Sequence, residues 1–245
     1  MTVSQLLDIA TTPDGKRMSL SREGNDLTIY VEEFVLMSSR LHGSEEALAE
    51  VGCNWLGKVN VARVLVGGLG LGYTLRATLD LVRDDAEVEV VELMPAVVKW
   101  HREGPLGELA KHPVDDPRTK VVVSDLGAHL RRGESPRAWR EGKERVARDE
   151  RERVQPRYDV MLLDVDNGPR AFASKANAWL YGEAGLARMK VLLKRGGRIV
   201  FWSAFDDKAF EKRLIQAGFD VRVVRSGVSH RGDKEKHVLF VGSVR

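Results

Sequence analysis

A chain of 245 residues, 43% hydrophobic and 31% charged, can bury one full α/β core, and no apolar run approaches the roughly 20 residues that span a bilayer as a helix. Its one cysteine, Cys53, excludes an internal disulfide and a cysteine zinc site; with no secretory signal read at the N-terminal stretch, a reducing cytoplasm is expected. The net charge of +3 hints at nucleic acid, yet residues 131–157, with ten Arg/Lys against six Asp/Glu, hold the whole excess. Acids and bases interleave there, and Glu141–Arg145 and Glu144–Arg148 fall at helical spacing, so a solvated surface insert is expected and a nucleic-acid partner is not.

In chain order, "KRMSLSRE" and "DLTIYVEE" alternate around the turn residues "GND" and predict a small β-hairpin in an N-terminal segment spanning 1–58. "EEALAEV" reads as a short helix, capped by Ser44 and ended by Gly57. From 59 to 245 strands and helices alternate. Strands are predicted over 61–68, 88–93, 120–125, 158–165 and 198–204, each followed by a helical pattern. Two closing strands, "DVRVVRSGV" and "KHVLFVGSV", are close enough to form an antiparallel hairpin, with His230 and His237 exposed at its flanks. Continuous apolar strands between helices predict a Rossmann-like, mostly parallel seven-stranded sheet covered on both faces.

Such a sheet binds ligands at the carboxyl ends of its strands. The first strand runs into Gly68, Gly70 and Gly72, which allow tight turning and close backbone approach, and a helix begins directly after them. The second ends in Glu92, about 20 residues past the last glycine, a spacing at which an acid meets ribose hydroxyls. The third ends in Asp125, which could equally cap the following helix. The fourth ends in Asp164, with Asp166 just beyond in "LLDVDNGP", where Asp166 could instead close the turn. Acids at three successive strand ends beside a glycine loop point to a nucleoside-type ligand. No His/Cys/Asp spacing suggests a metal. Trp202 ends the fifth strand and could line a substrate pocket, and His42 could touch substrate from the connecting segment.

These residues resemble the class I S-adenosylmethionine-dependent transferases, and within them the spermidine synthase branch. "VLVGGLGLGYTLR" resembles that branch's glycine motif, "LLDVDNGP" its Asp-Ser-Ser-Asp-Pro motif, and "LYGEAGLARMKVLLKRGG" the helix that follows. The resemblance implies that Gly68, Gly70 and Gly72 hold the amino-acid or aminopropyl end of the cofactor. It implies that Glu92 bonds the ribose, Asp125 the adenine amino group, and that Asp164 orients and deprotonates an attacking amine. Asp166 or Tyr181 would help to hold the substrate, and a homodimer is possible.

One position departs from the motif. The family carries an acid inside the glycine loop, facing the cationic tail of decarboxylated S-adenosylmethionine; here Leu71 stands there. A buried ammonium without a partner costs several kcal/mol, so Leu71 favours intact S-adenosylmethionine. The expected function is therefore methyl transfer, or transfer of a related alkyl group, to a small amine-bearing acceptor. Aminopropyl transfer is the alternative, and a non-catalytic nucleoside-binding protein a further one. An NAD enzyme fits less well, because the loop lacks G-x-G-x-x-G.

Overall fold

The computed structural model describes residues 4–40, 42–132, 157–165, 175–230 and 233–245. Two sheets carry the fold. The first comprises β1 (Gln5–Thr11), β2 (Arg17–Glu23), β3 (Asp26–Val31) and β4 (Phe34–Ser38), each antiparallel to the next. The hairpin expected from sequence is thus the middle of a four-stranded sheet. The outer strands escape a pattern search because neither has a fully buried face: most of β4, including Phe34 and Val35, lies exposed.

The second sheet has seven strands in the order β10-β11-β9-β8-β5-β6-β7. Five run parallel: β5 (Arg63–Gly67), β6 (Glu87–Glu92), β7 (Thr119–Val123), β8 (Tyr158–Leu163) and β9 (Leu193–Ser203). The hairpin of β10 (Asp220–His230) and β11 (Asp233–Ser243) closes one side, with β11 antiparallel to β9. The chain grows outward from β5 through β6 and β7, then returns to lay β8 on β5's other side. That reversal is a topological switch point, where strand-end loops part and leave a crevice. Its register pairs Gly67 with Leu163, so the glycine loop and Asp164 leave the sheet side by side.

Alternation along the strands divides two cores. Val64, Val66, Val160, Leu162 and Val200 face α1 (Gly43–Cys53), α2 (Tyr73–Leu81) and α3 (Pro95–Arg102). Leu65, Met161, Leu163, Ile199 and Phe201 face α5 (Leu126–Arg132), α6 (Glu183–Leu192) and α7 (Lys208–Gln216); a short α4 (Pro105–Leu109) follows α3. Helix α1 differs from expectation at both ends. Ser44 lies inside its first turn and His42 holds the cap position, while Gly57 falls in a separate 3-10 turn, Leu56–Lys58. Gly52 lets α1 sit close: a Cβ there would come within 2.5 Å of Leu162 Cδ2. That close packing aims the first turn of α1 at the end of β8. At the last hairpin, His237 is buried rather than exposed, at 3% accessibility, because β11 lies inside the sheet and turns it against Trp202.

Candidate functional site at the strand ends

The loop from Gly68 to Gly72 has three backbone positions in the left-handed region, at φ 91° for Gly68, 50° for Gly70 and 87° for Gly72. Each also abuts a different neighbour. A side chain would strike the Asp164 carbonyl at Gly68, the Met37 sulfur at Gly70 and the His101 ring at Gly72. Glycine is therefore favoured at all three positions by conformation, and at Gly68 also by space, because the atom met there is backbone.

Beside the loop lies a recess lined by Gly68, Leu69, Gly70 and Gly72, by Tyr73 and Thr74 at the start of α2, and by Asp164, Glu45 and Met37. Asp164 is half-buried, and Thr74 Oγ1 donates to its Oδ2 at 3.3 Å. Burial first, then the charge of Glu45, push its carboxyl up to about 7, against the pull of the Thr74 hydroxyl. Glu45 is itself buried and accepts a hydrogen bond from Ser44 Oγ. Tyr73 feels the same field. Burial, followed by Glu45, Glu46 and Asp26, raises its phenol to about 12. His42 stacks on Tyr73 with ring centroids 4.4 Å apart, and its Nδ1 lies 2.9 Å from Glu46 Oε1. No Lys or Arg lines this recess among the described residues.

Glu92 lies beneath the loop rather than in the recess. Its Oε2 accepts from the Leu69 amide at 2.8 Å and its Oε1 from the Met94 amide at 2.7 Å. Burial raises its pKa, while the amides of Met94, Leu69, Gly70 and Leu93 draw it back. Asp125 caps α5: its Oδ1 accepts from the Ala128 amide at 2.6 Å. Two expected substrate residues lie outside the lining of the recess. Trp202 is still within β9, paired with Leu239 of β11 and packed against the core; its indole N–H is buried without a hydrogen-bond partner among the described residues. Tyr181 lies on the opposite face, packed in the core against Phe201 and Phe210 at 5.9 and 5.7 Å, which removes it from the recess. Asp166 lies outside the described residues. Among the described residues no group of three His, Cys, Asp or Glu converges as a metal site would require.

Sequence reasoning missed Glu45, Met37, Tyr73 and Thr74. The last two follow the final glycine directly and were open to inference as the helix turn nearest the ligand. Glu45 and Met37 reach the recess only through tertiary packing.

The seven-stranded sheet, with its glycine loop and strand-end acid at the switch point, is a Rossmann-like fold similar to that of solved spermidine synthases. A spermidine synthase in complex with the transition-state analogue AdoDATO superposes with a TM-score of 0.69 at 16% identity, over 98% of this chain and 72% of that one. The spermidine synthase from Thermotoga maritima superposes with a TM-score of 0.66 at 15% identity, over the same shares. No family model and no curated protein matches the chain in sequence.

Proposed function

We propose that the chain transfers an aminopropyl group from decarboxylated S-adenosylmethionine to an amine. The observation that carries this reading is the acidic recess: Asp164 and Glu45 line it, with no described basic side chain opposite them. Leu71 leaves the loop without an acid, which by itself favours the intact cofactor. Its side chain is wholly buried in the core, however, and Glu45 brings a carboxylate to the recess from α1. An ammonium tail gains from that field, whereas an amino-acid carboxylate is repelled by it.

The residues fit such a ligand. The glycines admit close approach, and the amides that open α2 present a positive dipole end. When bound, the cofactor supplies a carbon on a sulfonium, an excellent leaving group. Asp164 then orients the acceptor amine in line and takes the proton it sheds on attack. A carboxyl near 7 is suited to that exchange. Methyl transfer from intact S-adenosylmethionine is the second reading, supported by Leu71 and by the helix N-terminus, which can hold a carboxylate.

Calorimetric titration with decarboxylated S-adenosylmethionine, S-adenosylmethionine and 5′-methylthioadenosine tests both. The decarboxylated form is expected to bind most tightly. Tighter binding of the intact form would transfer support to methylation, and no binding of any of the three would remove the cofactor reading.

A further inference from the structure

His101 on α3 belongs to no set of residues expected at the site, yet it touches the glycine loop more directly than most of them do. It is fully buried, and its Nε2 lies 3.0 Å from the Gly70 carbonyl oxygen. A carbonyl can only accept, so Nε2 carries the proton and Nδ1 does not. That Nδ1 is buried with no hydrogen-bond partner among the described residues. Burial drives the imidazole down to about 4, so the ring is neutral at ordinary pH.

A buried acceptor left idle is a cost in stability, and a leucine at this position would avoid it. The ring also sets a constraint on its neighbour, since any side chain at Gly72 would collide with its Cε1. Meanwhile Glu92 holds the Leu69 amide from below. The loop is thus fixed at two successive residues, by its amide at Leu69 and by its carbonyl at Gly70.

We propose that His101 is a positioning residue for the glycine loop: its Nε2–H, bonded to the Gly70 carbonyl, sets the loop so that the peptide groups around Gly70–Gly72 meet the nucleoside ligand. The role rests on the ligand class proposed above, but the bond to the loop does not depend on it.

The test compares the wild-type protein with H101L, which removes the donor, and H101Q, whose amide nitrogen reaches the same position. The readouts are thermal stability, amide hydrogen exchange across residues 67–74, and affinity for 5′-methylthioadenosine. H101L is expected to keep or raise Tm, to speed exchange in the loop at least tenfold and to weaken the nucleoside about tenfold. H101Q is expected to restore both loop protection and affinity. Unchanged exchange in a folded H101L protein would overturn the proposal, as would equal losses in H101L and H101Q. If H101L fails to fold, H101Q decides: loop protection and affinity near wild type support the proposal, and loss of both overturns it. If the wild-type protein binds no 5′-methylthioadenosine, the ligand class is at fault and loop exchange alone decides.

Discussion

Glu45 and Asp164 share one recess but come from distant parts of the chain, and their chemistry is joint. Each raises the cost of ionising the other, and a cation between them relieves both. E45Q is therefore expected to lower the Asp164 pKa from about 7 and to move the acidic limb of the activity profile to lower pH, as a pH–rate series would detect. The same substitution should cost decarboxylated S-adenosylmethionine about tenfold in affinity, roughly 1.4 kcal/mol, and leave 5′-methylthioadenosine, which lacks the charged tail, nearly unchanged. Equal losses for both ligands would mean that Glu45 does not read the tail. The sequence offered Asp164 at once, because an acid ending a buried strand stands out. It offered nothing for Glu45, one of several acids in an ordinary helical stretch.

At the level of elements, the distance from α1 to the sheet sets where Glu45 stands. Gly52 lies against Leu162 and Val160, so bulk added there presses on the helix midway along the sheet. G52V is expected to destabilise the protein by about 1–3 kcal/mol, in the range typical of overpacking, measurable in urea. It should also weaken binding of the cationic cofactor more than binding of 5′-methylthioadenosine, because a shift of α1 as a body carries Glu45 in its first turn along with it. A stability loss with both affinities unchanged would uncouple the helix from the site. Strands β5 and β8 were legible because both their faces are buried and their apolar runs are nearly unbroken. The edge strands β1 and β4 were not, since a strand with neither face buried carries no period to read. Asp125 shows the same limit, because a cap and a ligand use one residue type at one position.

For the whole molecule, the site is a source of instability. Asp164 has a folded-state pKa near 7 against 3.8 when exposed, so the folded protein binds its proton more tightly than the unfolded chain does. The penalty is full above pH 7, shrinks as pH falls through 7 and is gone below about 3.8, where both states are protonated. D164N is expected to abolish transfer while stabilising the protein by about 2–4 kcal/mol at pH 8, with the gain fading towards pH 4. Thermal melts of both proteins across that range check it; a gain independent of pH would place its origin elsewhere.

The position of β11 bears on how the molecule comes into being. It follows β10 in chain order, yet it lies between β9 and β10 in the seven-stranded sheet. As the polypeptide leaves the ribosome, β9 therefore waits with one hydrogen-bonding edge open until β10 and then β11 have been translated. During that interval β10 has no partner to dock on, and the nascent chain presents an adhesive border to whatever strand it meets. Synthesis from the N-terminus completes the crevice between β5 and β8 well before the sheet that supports it is closed.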